Sequence, residues 1–565
     1  MTGADLESAA TSRATDEAWI HRTTWDILAD HARLRPHKEA LVSIDTFGKE
    51  IRMTYQHLAE RSVGVSQGLT KIGVRRGERV GLWMTNLVEW ICTYFGALRI
   101  GAVLVPVNTF LKSDEVAYVL RRSGARHLIV LDRFRKASFL DLLTEIAPEW
   151  PTSKAGQLDC KVLPDLRNVV VFGRDSPFKG ENAYDWTQLA TTSEDAAALT
   201  NELVASVKPE DLALVTFTSG STPFPKGAML QQWGVITNGM LHTRRLGITD
   251  QDKWFTMMPF FHVGGSIWGL WSVISRGGTL VFTEAKDGEQ AARLLDEEKC
   301  TVFFARPALP DICATLDEHP RTYDSIRLAR HQEAKVEQIQ SKLGIKHFWS
   351  AYGQAELYGG AAVLSSEEAG LPLIIEEWTK PLDGQEIAVV DPATGESVAP
   401  GGTGEIWVRG LTMLGYFDEP YETTQSIDAG GWMHTQDLGQ RHENGEYFRY
   451  VGRLKAMLKV GGEDVAVEEV EELIRHFPGV ADVAVIGIPD ERYGEVPRAY
   501  IIATKGGTIE TAELITWCTK RSARFKVPRS IIVIDELPRT ASGKVDRAAL
   551  IRQDREAAQT RHKQD

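Results

Sequence analysis

Leu214-Val-Thr-Phe-Thr-Ser-Gly-Ser-Thr-Pro-Phe-Pro-Lys-Gly227 is an apolar run that empties into hydroxyls, glycine and proline and closes on a lysine. The apolar part, from Leu212 to Phe217, reads as a buried strand. The rest offers backbone N–H groups, several hydroxyls and one cation, Lys226, to a polyphosphate. It departs from the common nucleoside-triphosphate loop, Gly-x-x-x-x-Gly-Lys-Ser/Thr. Here Pro225 precedes the lysine and Gly227 follows it. Taken alone, the same letters also suit a Ser/Thr/Pro-rich surface turn.

Working outward, the strand and loop sit in a chain of 565 residues, too long for one core. A net charge of −13 argues against general nucleic-acid binding. A locally positive loop can still receive an anion. Cys92, Cys160, Cys300, Cys313 and Cys518 show no C-x-x-C spacing, which fits a reduced, cytoplasmic setting. The first residues carry Asp5 and Glu7 and no apolar core, unlike a secretory signal. No apolar run has membrane-spanning length.

Before the loop, helix and strand patterns alternate. Residues 1–20 are polar and expected to be loose. Helical spacing starts at Thr24 with Trp25, Leu28 and Ala32, and again behind Thr54 with Leu58, Val63 and Leu69. Strands are expected at Arg79–Trp83, Gly101–Pro106 and His127–Leu131, with an apolar helix at Leu87–Ile100. Residues 150–208, around Val169–Phe172, read as a surface excursion. Strands resume at Thr279–Phe282, Thr301–Ala305 and His347–Trp349. This alternation predicts an α/β fold of parallel sheets covered by helices. After about residue 380, Ile387–Val390, Gly404–Arg409 and Glu446–Tyr450 lie between Gly- and Asp-rich turns, the texture of an antiparallel or barrel-like part. A boundary is expected near Val451–Lys455. Beyond it come a helix over Val465–Phe477, strands at Val480–Ile486, Ala499–Ala503 and Ile531–Ile534, a helix over Thr511–Ser522 and a fraying charged tail after Arg552.

Four segments, taken in order, carry a resemblance. They are the loop 218–227, Tyr352-Gly-Gln-Ala-Glu356, Thr435-Gln-Asp-Leu-Gly439 with Gly452-Arg453 and Gly461-Gly-Glu-Asp-Val465, and Pro538-Arg-Thr-Ala-Ser-Gly-Lys544. Leu98-x-x-Gly-Ala-x-x-x-Pro-x-Asn108 and Pro259-Phe-Phe-His262 add to them. Together they resemble the AMP-forming adenylate superfamily of acyl- and aryl-CoA synthetases, peptide-synthetase adenylation domains and luciferases, from about Trp25 to Leu550.

The resemblance implies a large domain, 1–451, and a small mobile α+β domain, 452–565, hinged near Lys455. Thr218, Ser219, Gly220, Ser221, Thr222 and Lys226 would hold the β- and γ-phosphates of ATP. Tyr352, with Gly353, Gln354 and Ala355 beside it, would lie against the nucleotide. Glu356 would hold Mg²⁺, Asp437 would accept from the ribose, and Arg453 would brace the ribose and α-phosphate. Lys544, with Lys226 and Glu356, would be catalytic, bridging the attacking carboxylate and the α-phosphate. Lys459 and Gly461–Gly462 would face CoA after the small domain rotates. His262, Gly264 and Ala351 would wall the substrate pocket, while Trp268, Trp271 and Trp349 suit either pocket or core.

The expected reaction is adenylation of a fatty or aryl acid followed by transfer to CoA, with small molecules as partners, no nucleic acid, and a homodimer left open. Several positions depart from the family pattern: Pro223 in the loop, Gln332 and Glu333 within His331–Lys335, Ala355 for a threonine and Gln436 for a glycine. They keep open a diverged adenylating enzyme of natural-product biosynthesis, such as one activating nitrite for an aryl amine, and a non-enzymatic nucleotide-binding relative.

Overall fold

The structure, a computed structural model, describes residues 21–561 except 193, 219–224, 285–286, 306–311, 313, 316, 318–322, 332–339, 341, 393, 455–456, 505–506 and 540–544. The chain divides into two compact units. One comprises residues up to Thr109, Ala117–Thr218 and Gly227–Gly452; the other comprises Phe110–Val116, Ser219–Lys226 and Arg453–Asp565.

The first unit holds two large sheets. In one, the strands His347–Tyr352, Leu328–Arg330, Val302–Phe304, Lys253–Thr256, Thr279–Thr283 and Glu39–Ile44 run parallel in that spatial order. Ala362–Ser365 and Glu50–Thr54 close its edges antiparallel. In the other, Leu212–Thr218 lies beside Val103–Pro106, followed by Arg79–Trp83, His127–Leu131, Asn168–Phe172 and Tyr184–Asp185, all parallel. Strands buried on both faces need apolar residues throughout, so these segments lack alternation. A third sheet orders Glu386–Val390, Thr403–Arg409, Met433–Arg441 and Phe448–Arg453, with the first two pairings antiparallel.

Helices begin where the caps say they should. Thr23 and Asp26 form a reciprocal capping box before Thr24–Leu34, and the Thr54 hydroxyl accepts from His57 N at the head of Tyr55–Lys71. The helix Val88–Arg99 is buried along its whole length, which is why its sequence shows no polar face.

The second unit packs Glu463–Ala466, Met457–Val460, Gly494–Ala503 and Val480–Asp490 in one sheet, with Ser530–Val533 parallel to Gly494–Ala503. Val467, Val470 and Ile474 of the helix Val467–Arg475 fill its core.

Two expectations are corrected. Residues 150–208 are not a surface excursion throughout: Asn168–Phe172 is an inner strand of a parallel sheet, and Trp186 is fully buried. A buried apolar run of four or five residues has no periodicity to distinguish it from a sticky loop. The tail does not fray after Arg552, since the helix Arg547–Arg561 continues past it. Leu550 is buried, and Asp554 accepts from Arg498 and Tyr500, which anchors the helix to its unit. The readings of residues 1–20 and of Cys313 lie outside the described residues. Cys92, Cys160, Cys300 and Cys518 are buried free thiols.

One polar network joins strand ends of the two large sheets. Glu284 follows Thr279–Thr283 in one sheet; Thr85 and Arg174 follow Arg79–Trp83 and Asn168–Phe172 in the other. Arg174 Nη1 donates to Glu284 Oε2 at 2.7 Å, Thr85 donates to Oε1 at 2.6 Å, and Thr46 N donates to Oε2 at 3.0 Å. Burial by itself raises the Glu284 carboxyl, but Arg174 and Thr85 outweigh it and hold the group below its ordinary value. A depressed carboxylate contributes stability above its unfolded pKa and loses it as pH falls through the folded value. Arg174→Ala is therefore expected to destabilise the protein by about 3 kcal/mol at pH 7. The gap from wild type should narrow as pH drops through the carboxylate range. Urea unfolding followed by tryptophan fluorescence, at pH 7 and pH 4, measures both; a gap that stays constant with pH removes the role given to Glu284.

Candidate functional site

The strand His347–Tyr352 ends at a tight turn, Gly353–Gly360, that carries the acidic residue Glu356. The turn requires glycine at its waist. A Cβ on Gly353 would lie 2.0 Å from the Gly359 carbonyl oxygen, and one on Gly360 would lie 2.3 Å from the Trp268 indole.

The turn is held from below by the helix Gln232–Arg245, which follows the strand after the loop. Gly234, Asn238 and His242 recur every four residues and share one face of it. Gly234 leaves room for the Tyr358 ring, whose hydroxyl accepts from Gln231 N at 3.0 Å. Asn238 donates to the Gly360 carbonyl at 2.6 Å.

Glu356 is buried and gathers three parts of the unit. Thr218, the last residue of its strand, donates to Glu356 Oε1 at 3.1 Å. Tyr416 donates to the same oxygen at 2.9 Å, and the Glu356 carbonyl accepts from Met413 N at 2.7 Å. Burial, then the Glu356 charge, push the Tyr416 phenol well above its ordinary value, so it remains a neutral donor.

A second carboxylate stands beside the strand end. Asp437 is 2% exposed. Its Oδ2 accepts from the Tyr352 hydroxyl at 2.9 Å and from Gln354 Nε2 at 2.5 Å, and Gln354 also donates to the Thr435 carbonyl at 2.9 Å. The Tyr352 ring lies between Tyr450, stacked at 6.5 Å, and Phe448, edge-on at 5.6 Å. The Tyr352 hydroxyl and the Gln354 amide thus orient Asp437, and the Thr218 and Tyr416 hydroxyls orient Glu356.

The structure brings Thr218, Tyr352, Gly353, Gln354, Ala355, Glu356 and Asp437 together in the first unit. Lys226 is buried at the start of the strand Lys226–Gln231. Arg453 and Lys459 belong to the second unit, where Lys459 is exposed and its N–H donates to Glu495. Gly461 and Gly462 have φ of +60° and +97° and form the two-residue link between Met457–Val460 and Glu463–Ala466. A hairpin turn of that kind asks for glycine whatever ligand passes it. His262 and Gly264 are half-buried at the head of a π-helical turn, Gly264–Gly269, and Ala351 lies on the strand His347–Tyr352. Ser219, Gly220, Ser221, Thr222, Pro223, Gln332, Glu333, Lys455 and Lys544 lie outside the described residues.

One departure now has a physical account. Gln436 has a φ of +60°, the left-handed conformation that glycine adopts without penalty. The buried Glu405 accepts from Gln436 N at 2.9 Å and from its side-chain amide at 3.2 Å. The backbone shape is thus kept by hydrogen bonds in place of a missing Cβ. Sequence reading missed Tyr416, Asn238 and Arg330, the last of which donates to the Trp349 and Ala351 carbonyls. Each reaches the site from a distant segment, and no local motif marks them.

Two family models match the chain: AMP-binding enzyme over residues 28–417 and AMP-binding enzyme C-terminal domain over residues 469–544. The chain is 33% identical over 520 residues to a methyl-dioxo-octahydro-indenyl-propanoyl:CoA ligase of Rhodococcus jostii (strain RHA1), covering 88% of this chain and 93% of that one. It is 29% identical over 548 residues to the mitochondrial medium-chain acyl-CoA ligase ACSF2 of Mus musculus, covering 95% and 88%. The solved anthranilate CoA ligase AuaEII, in complex with anthranoyl-AMP, matches with a TM-score of 0.65 and 26% identity, over 95% of this chain and 98% of that one. With both family models matching in sequence order, the first across most of the chain, the chain belongs to the AMP-binding enzyme family and is an AMP-forming ligase.

Proposed function

We propose that the protein activates a carboxylic acid with ATP and passes the acyl group to the thiol of CoA. A carboxylate oxygen attacks the α-phosphorus and pyrophosphate leaves. The thiol sulfur then attacks the acyl carbon and AMP leaves. The observation that carries this reading is the Thr218–Glu356–Tyr416 junction, in which the end of the loop strand is joined to a buried carboxylate.

In this reading residues 218–226 cradle the β- and γ-phosphates through backbone N–H groups and hydroxyls, with Lys226 as the cation. Tyr352 lies against adenine, beside Gly353, Gln354 and Ala355. Asp437, already oriented by Tyr352 and Gln354, accepts from the ribose hydroxyls. Arg453 braces the ribose and α-phosphate. Lys544 bridges the two anions whose approach raises the barrier. The segment 452–565 forms a small domain that turns near Lys455 between the two half-reactions, and Lys459 and Gly461–Gly462 then face CoA.

Glu356 is the residue that would hold Mg²⁺. The donor set suits that ion: one carboxylate and two hydroxyls, all hard oxygens, with no group of three or more His, Cys, Asp or Glu among the described residues. Mg²⁺ is commonly held by one or two carboxylates together with substrate phosphates, and when bound it neutralises charge on the departing pyrophosphate. Among the described residues, no helix is long and apolar enough to cross a membrane, and the substrates in this reading are small molecules.

A second reading keeps adenylation and changes the activated group, with nitrite activated for attack by an aryl amine. Ala355 supports it, because a side chain without a hydroxyl sits between Gln354 and Glu356 at the head of the site turn.

The decisive assay measures AMP and pyrophosphate release with fatty acids, aryl acids, and an aryl amine plus nitrite, each with and without CoA. Thioester formed from an acid and CoA is the expected result. AMP released only with amine and nitrite selects the second reading, and ADP as the spent nucleotide overturns both. Lys544→Ala is expected to lower adenylation by about 100-fold or more while the thermal melt stays at the wild-type position; wild-type rates would remove Lys544 from the mechanism. Glu356→Gln, close in shape and uncharged, is expected to cut pyrophosphate release by about 100-fold and to shift the Mg²⁺ titration to higher concentration. An unchanged Mg²⁺ titration would take the metal away from Glu356.

A further inference from the structure

Lys526 ends a short 3-10 turn, Arg524–Lys526, and is 4% exposed. Lysine is rarely buried to that degree without a partner. Here it has two. Its Nζ donates to Glu469 Oε1 at 2.6 Å and to Glu115 Oε1 at 2.6 Å. Burial alone would pull the ammonium down, but Glu469 and Glu115 outweigh it and hold the group charged, above its ordinary value.

The two carboxylates come from different parts of the chain. Glu469 sits in the first turn of the helix Val467–Arg475, in the region matched, like Lys526, by the C-terminal family model. Glu115 sits in the first turn of the helix Ser113–Ser123, in the region matched by the other model. That helix is shared between the two compact units. Phe110–Val116 belongs with Lys526, and the chain from Ala117 belongs with the large sheets. Its later turns are fixed within the first unit, where Leu120 packs against Gly81 and Arg122 pairs with Glu419. Glu115 is itself oriented, because its Oε2 accepts from Lys112 N at 2.9 Å.

Charge counting separates the two carboxylates. Glu469 alone neutralises Lys526 within the C-terminal region. Glu115 brings repulsion with it: burial raises the Glu469 carboxyl, and Glu115 adds to that against the pull of Lys526. The core of Val467, Val470, Ile474, Leu514 and Cys518 contains no residue of the helix Ser113–Ser123. A carboxylate that costs repulsion and is not required to neutralise the lysine suits a contact made in one arrangement of the chain and broken in another.

The arrangement it serves follows from what else holds the small domain. During adenylation, in the proposed reading, the triphosphate is the counter-ion of Arg453 and Lys544. When pyrophosphate leaves, most of that negative charge leaves with it. The arrangement that follows needs a counter-ion supplied by the protein. A domain that turns near Lys455 cannot keep Lys526 on the helix Ser113–Ser123 through both half-reactions. We infer that Glu115 is a positioning residue for the second half-reaction: it grips Lys526 while the segment 453–565 is presented to CoA, and it lets go for adenylation. The assignment to that step rests on the reading of the chain as an acid-activating ligase.

Two measurements on the full-length protein test it. The first needs no substrate. Spin labels at Glu60→Cys on the helix Tyr55–Lys71 and at Glu513→Cys on the helix Thr511–Arg521, both exposed positions, report the distance between the units by double electron–electron resonance. One dominant distance is expected with Glu115 present and a broadened distribution in Glu115→Gln. Glu469→Gln, which removes a charge from the same lysine inside one region, should keep the wild-type distribution. Identical distributions with and without Glu115, or equal broadening in both variants, overturns the grip. The second measurement compares exchange of labelled pyrophosphate into ATP with formation of the CoA thioester, using octanoate and benzoate. Glu115→Gln is expected to lower thioester formation about tenfold or more and to leave exchange within about twofold of wild type. An equal loss in both half-reactions, or no loss in either, overturns the assignment. No exchange with either acid counts against the ligase reading and strikes the assignment to the thioester step, and the spin-label distances then decide the grip by themselves.

Discussion

Everything near the site depends on one buried carboxylate. Glu356 is 7% exposed and accepts from Thr218 and Tyr416, and no ion pair to it is present among the described residues. A carboxylate taken out of water needs strong donors or a cation. Two neutral hydroxyls supply such donors here, and in the proposed reading a divalent ion adds to them. The same contacts join the end of the strand Leu212–Thr218, the turn after His347–Tyr352 and the segment around Tyr416. A single charge thus sets both the local geometry and the chemistry available to it.

The glycines around this carboxylate serve packing as much as ligand approach. Gly353 and Gly360 let the turn fold back on itself and onto Trp268, and Gly234 admits the Tyr358 ring. Gly461 and Gly462 make a hairpin turn in the second unit. Gln436 shows the converse. It holds a left-handed backbone through Glu405, so a departure from the usual residue does not imply a departure from the usual shape.

Polar and apolar burial divide the work. The Arg174–Glu284–Thr85 network joins strand ends of the two large sheets with its hydrogen bonds largely satisfied. The Trp254–Trp268–Trp349 cluster is the reverse: well packed, but with its nitrogens unmet.

The amino-acid order determined the fold class, because apolar strands followed by helices in alternation suit little other than helix-covered parallel sheets. It also marked Thr218, Tyr352, Glu356 and Asp437, since each lies in a short segment with unusual chemistry for its place. Only the tertiary structure decided which side chains complete those residues. Tyr416 is 60 residues from Glu356, and Thr218 is 138 residues from it. The strand Asn168–Phe172 and the helix through Arg561 escaped notice for a related reason: burial on every side erases periodicity, and a charged helix is anchored by contacts such as Asp554 with Arg498 and Tyr500 that no local pattern announces. The packed rings of His242, Trp254, Trp268, Phe304 and Trp349 come from the helix Gln232–Arg245, the strands Lys253–Thr256, Val302–Phe304 and His347–Tyr352, and the turn Gly264–Gly269. Local order sets propensity and charge; which distant rings and hydroxyls meet is decided by how the sheets and helices pack, and that is a property of the whole chain.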